Sequence, residues 1–285
     1  MNSHPLSPIP DADVDAFWRD GVICLRGLFD AEWIEHMRDA VEDDLAHPGP
    51  LAREYATQQG QRFLGDIGAW AVKPMLRKYV EESPAAEIAA RMLRSRKVNF
   101  LYDQLFVKEP GTTAVTPWHQ DGPYWPVRGD QILSIWLALD DVTIESSGVE
   151  YVKGSHRWGR EFRPIHFGGD TEAYKMLPGE TLPDINALRH SPDGAELDIV
   201  NWDMQAGDCL LHHCMTVHGA PGNASSTQRR RAYATRWTGD DVVYAPREGQ
   251  AAITIDKPTI QPGEAIDCAV FPRLWPRQAG GEAAR

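Results

Sequence analysis

Apolar positions near the N-terminus recur with a helical period. Over Asp11–Asp20, Val14, Phe17 and Trp18 fall on one stripe and Gly21 stops the helix. A short apolar run, Val22 to Leu25, predicts a strand. Asp30 then caps a second helix carrying Trp33, Ile34, Met37, Val41 and Leu45 on one side, which Pro48-Gly49-Pro50 ends. A third helix is predicted after Ser83, with Pro84 at its first position and Ile88, Met92 and Leu93 facing inward. Beyond Lys97 the texture changes to branched and aromatic runs bounded by Gly, Pro, Asp or Ser. Val98–Lys108, Gln131–Asp140, Val149–Val152, Leu197–Asn201, Asp208–His218 and Arg230–Thr238 are predicted strands. Helices followed by strands predict helices packed on an antiparallel sandwich or barrel. Residues 159–196, rich in Gly, Pro and charge, read as a loop or lid inserted in a single domain over 1–285, and the end from Gly280 reads as frayed.

Composition narrows the function classes. With 41 acidic and 29 basic side chains in 285 residues, the net charge is −12, the wrong sign for neutralising nucleic-acid phosphates or for a polybasic membrane contact. No apolar run reaches the ~18 residues of a membrane span, and Met1–Pro10 lacks a basic and apolar leader, so a cytoplasmic protein is expected. The four cysteines form no C-x-x-C pair and read as reduced, buried thiols.

The candidate chemistry begins at Trp118-His119-Gln120-Asp121-Gly122. On an extended backbone His119 and Asp121 leave the same face with Cα atoms ~7 Å apart, close enough to share one ion. A third ligand is available between Asp208 and Gly219, where His212, His213 and His218 stand. His212 and His218 share a face under strand alternation, and His218, at a strand end beside Gly219, is preferred; the other two read as core histidines or as histidines that support the ligands. Two imidazoles and one carboxylate form the open triad of non-haem Fe(II) oxygenases. Downstream, Arg229-Arg230-Arg231 opens a strand, and an inward guanidinium there suits a paired grip on an organic acid, although three consecutive arginines leave the register open by one residue.

In order along the chain, Phe17-Trp18-Arg19-Asp20-Gly21, Asp103-Gln104-Leu105-Phe106, Trp118-His119-Gln120-Asp121, Trp136-Leu137-Ala138-Leu139-Asp140, Gly154-Ser155-His156, His218-Gly219 to Asn223 and Arg230-Arg231-Ala232 follow one another. This set resembles the phytanoyl-CoA dioxygenase family, Fe(II)- and 2-oxoglutarate-dependent oxygenases that include ectoine hydroxylase. The resemblance implies a mostly β double-stranded β-helix, a cupin-like jelly roll with N-terminal and flanking helices on one side. It implies His119, Asp121 and His218 as iron ligands, Arg230 on the far carboxylate of 2-oxoglutarate, Gln104 near that co-substrate, and O2 as oxidant. Asp121 stands where related halogenases lack a carboxylate, which favours hydroxylation. Glu145-Ser146-Ser147-Gly148 and Lys153 depart from the usual family loops.

Tyr124, Trp125 and Trp136 are candidates both for the core and for a substrate pocket. The basic residues Arg128, Lys153, Arg157, Arg160 and Arg163 near the lid hint at an anionic small-molecule substrate, while the family name does not establish which one. The expected assembly is a monomer or homodimer. A zinc hydrolase could use the same ligands but would not need the cationic anchor, and a non-catalytic jelly-roll binder that has kept the ligands is the second alternative.

Overall fold

The computed structural model describes residues 1–56, 62–165, 179–191, 197–247, 249 and 252–277. The elements in chain order are α1 (Asp11–Asp20), β1 (Val22–Leu25), α2 (Ala31–Ala46), β2 (Arg53–Ala56), β3 (Phe63–Ile67), α3 (Pro74–Glu82), α4 (Ala85–Leu93), β4 (Val98–Lys108), β5 (Thr116–His119), β6 (Val127–Arg128), β7 (Ile132–Ala138), β8 (Glu150–Val152), α5 (Ile185–Arg189), β9 (Ile199–Val200), β10 (Cys209–His213), β11 (His218–Ala220), β12 (Arg230–Thr238), β13 (Val243–Tyr244) and β14 (Arg273–Trp275).

The strands form mostly antiparallel sheet, as the pattern predicts. One sheet has eight strands in the order β1-β10-β7-β12-β4-β3-β2, with β14 also on β4; a second has four, β5-β11-β8-β9; β13 and β6 pair separately. Every paired strand in these ladders runs antiparallel to its neighbour.

Strand alternation divides the large sheet's side chains between two environments. Leu105, Leu133, Ile135, Tyr233 and Trp237 pack with Phe17, Trp33, Met37, Tyr79, Ile88 and Met92 of α1–α4. Burying side chains of this size contributes roughly 1.5–3 kcal/mol each, which is what holds the helices to this face. The opposite face contributes Phe106, Trp136, Ala232, Ala234 and Leu210 to a cluster with Tyr151 of the small sheet.

α2 is capped as expected, the Asp30 carboxylate accepting from the Trp33 amide at 2.9 Å. Pro84 stands one residue ahead of its helix, which is the fourth rather than the third. The sequence reading missed α3, whose Leu76, Tyr79 and Val80 are buried. It also ran Asp208–His218 together as one strand. The chain instead breaks after His213, and His218 starts a strand in the other sheet.

Gly21 organises that break. Its φ of +78° ends α1, and its carbonyl accepts from the His213 amide at 2.9 Å and the Thr216 hydroxyl at 2.7 Å. A Cβ there would lie 2.3 Å from His156 Nδ1, so glycine is required on both counts. Of the expected lid, residues 166–178 and 192–196 lie outside the described residues, as does the chain end from 278. The described part carries α5 and a parallel bridge between Phe162 and Glu180.

Candidate active site

β11 is flanked by β5 and β8, and the register sets His218 directly opposite both His119 and Tyr151. Cross-strand neighbours of this kind touch. The imidazole centroids of His119 and His218 are 4.2 Å apart, and Tyr151 stacks on His218 at 5.5 Å. Asp121 arrives by a different route from the extended one expected. β5 ends at His119, and Asp121 has helical dihedrals (φ −75°, ψ −44°) at the start of a 3₁₀ turn over Gly122–Tyr124. The turn, not alternation, sets its Oδ1 3.5 Å from His119 Nε2 and 3.9 Å from His218 Nε2. One donor atom from each of the three buried residues lies within 4.8 Å of the others.

Hydrogen bonding fixes the state of these groups. His119 Nδ1 donates to the Pro117 carbonyl at 2.8 Å and His218 Nδ1 to that of Thr216 at 2.9 Å. Each ring therefore turns an Nε2 lone pair inward. Two lone pairs and a carboxylate oxygen then face one another, an arrangement that a cation satisfies. The donor set fits Fe(II).

The other oxygen of Asp121 is held by the large sheet. Oδ2 accepts from Ser134 Oγ at 3.0 Å and from His212 Nε2 at 3.1 Å, while the Tyr151 hydroxyl donates to His212 Nδ1 at 3.2 Å. Burial alone would raise the Asp121 carboxyl. Its contacts with His119 and His212, and the nearby His218 and Arg236, outweigh burial and hold it well below the ordinary carboxylate range. Burial pushes His218 and His212 down, which keeps both rings neutral, as ligation requires of His218. His213, by contrast, donates to the Asp130 carbonyl at 2.9 Å and is a packing residue; burial takes it to about 4.

A cavity of about 110 Å³ opens between the two sheets beside the triad. The register of the arginine run is resolved by its partners. Arg229 pairs with Glu42 and Glu109, and Arg231 with Asp140 and Glu42, all on the outer side. Arg230 lines the cavity, 2% exposed, 5.5 Å over the Trp136 ring, with Nη2 donating to Ser147 Oγ at 3.2 Å and Nε unpaired. Burial brings its guanidinium down to about 10.

Gln104, Tyr124, Trp125 and Trp136 also line the cavity. Gln104 donates to the Tyr55 hydroxyl at 3.3 Å, Trp125 donates to that of Tyr102 at 2.7 Å, and the Tyr124 hydroxyl donates to the Ile165 carbonyl at 2.6 Å. None of Arg128, Lys153, Arg157, Arg160 and Arg163 is among the described residues lining this cavity. Lys153 pairs with Asp20 and Asp198, and Arg160 with Glu180. Among the described residues, the positive side chains lining the cavity are Arg53, Arg230 and Arg236. Sequence reasoning missed Ser134, Tyr151, Arg53 and Arg236. For Arg236 a signal existed, since it is six residues beyond Arg230 on a strand and so on the same face.

The family model described as phytanoyl-CoA dioxygenase matches residues 17–232, a span that contains the triad and Arg230. The multifunctional dioxygenase PrhA of Penicillium brasilianum is 30% identical over 248 residues, 82% of this chain and 74% of that protein. The ectoine dioxygenase of Sphingopyxis alaskensis is 25% identical over 248 residues, 80% of this chain and 75% of that one. Among solved structures, the non-haem α-ketoglutarate-dependent carbocyclase SnoK from nogalamycin biosynthesis shares the fold. Its TM-score is 0.72 at 23% identity, over 96% of this chain and 100% of that chain.

Proposed function

The chain belongs to the phytanoyl-CoA dioxygenase family, and on that premise we propose that it is an Fe(II)- and 2-oxoglutarate-dependent dioxygenase. Its reaction is the hydroxylation of an unactivated C–H bond in a small anionic metabolite, with release of succinate and CO2. The carrying observation is the buried group of His119, Asp121 and His218, in which one ligand atom from each residue lies within 4.8 Å of the others. These three residues would hold the iron on one face, leaving positions for co-substrate and O2. The bound iron and 2-oxoglutarate supply the oxidation of the substrate, with the protein orienting both.

The chain's own groups divide the remaining work. Arg230, buried and without an ion pair to any described carboxylate, would form paired hydrogen bonds to the far carboxylate of 2-oxoglutarate. Gln104 would contact the co-substrate from β4. Trp136 walls the space beside Arg230, while Tyr124 and Trp125 bound the substrate region and exclude water. Ser134 and His212 keep Asp121 ionised and aimed, so Oδ1 is presented to the ion.

The two facing sheets are read as a double-stranded β-helix, closed around the cavity. Residues 1–285 act as a single domain: β14 near the chain end joins β4, and the Asn2 side chain donates to the Leu28 carbonyl at 2.9 Å. No helix among the described residues is long and apolar enough to cross a membrane; a cytoplasmic monomer or homodimer with no nucleic-acid or membrane partner fits this reading.

The test is anaerobic addition of Fe(II) and 2-oxoglutarate to metal-free protein, expected to give the visible charge-transfer band of a chelated 2-oxo acid. Succinate release is then followed on admitting O2 across a panel of small acids. Tight zinc with no absorbance change would point to a hydrolase, and a band with no succinate above background to a non-catalytic binder. Either result overturns the proposal.

A further inference from the structure

Arg236 is 4% exposed and lines the same cavity as Arg230, with no ion pair to any described carboxylate. On β12 the two arginines are six residues apart, so their Cα atoms are separated by ~20 Å. They mark different stretches of the cavity wall. Arg230 lies opposite Lys108, whereas Arg236 lies opposite Tyr102 and, on its other side, Ser134, the residue that holds Asp121.

The Arg236 guanidinium sits 4.6 Å over the Tyr102 ring. Nη1 donates to the Ala234 carbonyl at 3.0 Å and Nη2 to Gln104 Oε1 at 3.1 Å, while Nε has no partner. Neutral acceptors alone thus meet a buried cation, a costly state unless a counter-charge arrives.

The counter-charge is not provided by the cofactors. The two charges of ferrous iron and the one on Arg230 are matched by Asp121 and a 2-oxoglutarate dianion. Arg236 remains. We infer that Arg236, backed by Gln104 and Tyr102, binds an anionic group of the substrate, a carboxylate or a comparably sized oxyanion, and so determines substrate class. The inference rests on the proposed oxygenase reading. It moves the basis for an anionic substrate from the lid arginines, which do not line the cavity, to a side chain that does.

The test uses full-length enzyme held anaerobically with Fe(II) and saturating 2-oxoglutarate. Straight-chain, branched and aromatic monocarboxylates are titrated, each against its primary amide, with binding read from perturbation of the visible band and by calorimetry. At least one carboxylate should bind ~10-fold or more tightly than its amide, and Arg236→Gln should reduce that preference to less than ~2-fold. Arg236→Lys, which keeps the charge, should retain part of it, and covers the case in which Arg236→Gln fails to fold.

Arg236→Gln should leave 2-oxoglutarate affinity within ~3-fold of wild type, whereas Arg230→Gln should abolish the band at the same concentration. No carboxylate exceeding its amide, a preference that survives in Arg236→Gln, or equal loss of 2-oxoglutarate binding in both variants overturns the inference. Absence of the band in wild-type protein instead overturns the oxygenase reading.

Discussion

Two groups of buried carboxylates lie on opposite faces of the eight-stranded sheet, and their environments push them in opposite directions. On the cavity face, Asp121 is surrounded by imidazoles, the Ser134 hydroxyl and Arg236, and remains ionised. On the helix face, Asp44 of α2, Asp66 of β3 and Asp103 of β4 are all buried, and burial raises each of them. Asp44 is pushed to about 8 and Asp103 to about 7. The charge of Asp66 adds to burial in raising Asp44, Asp66 accepts the Gly49 amide at 2.6 Å, and Asp103 accepts from Tyr233 Oη at 2.9 Å and the Trp70 amide at 3.1 Å. The same residue type is held low where its neighbours outweigh burial and is raised where burial outweighs its neighbours.

The contrast can be broken first at the triad. Asp121→Asn removes the charge while keeping the shape, and succinate release should fall to background. A less severe disturbance is Ser134→Ala, which removes one of the two donors to Oδ2; iron affinity, measured by chelator competition, should weaken ~10–100-fold. On the helix face, Asp44→Asn should stabilise the metal-free protein at pH 8.5 by ~1–3 kcal/mol in urea unfolding.

The two groups also carry opposite pH signatures. Carboxyls raised in the folded state contribute stability below the unfolded range of ~4, and that contribution is lost as pH rises through their folded values. The melting temperature of metal-free wild type should therefore fall relative to that of Asp44→Asn from about pH 5 to about pH 8. Asp121, held low, contributes above ~4 and loses its contribution only as pH falls through its depressed folded value. The smallest effect is expected at Arg231→Gln, a rim ion pair with Asp140, at ~1 kcal/mol or less with 2-oxoglutarate affinity unchanged.

Much of this was legible in the sequence wherever period and chemistry agree locally. β12 was read with the bounds Arg230–Thr238 because branched and aromatic residues alternate there with small and charged ones, and α2 because Asp30 caps a regular stripe. What failed depended on distant partners. The run from Asp208 to His218 has continuous strand character, and only the pairing of His218 with His119 and Tyr151 in the other sheet reveals the break. His119 and Asp121 were rightly taken to approach each other, for the wrong local reason, since a turn replaces the extended backbone. The acidic group on the helix face assembles from three elements far apart in the chain and has no local signature.

The split anchorage of the triad has a mechanical consequence. His119 and His218 belong to the small sheet, while the oxygen of Asp121 that faces away from them is tied to Ser134 and His212 of the large one. An ion seated among them would act as a rivet between the two sheets. Loading metal would then set the gap between the walls that grip the organic acids, so the width of the binding slot and the occupancy of the centre become one variable.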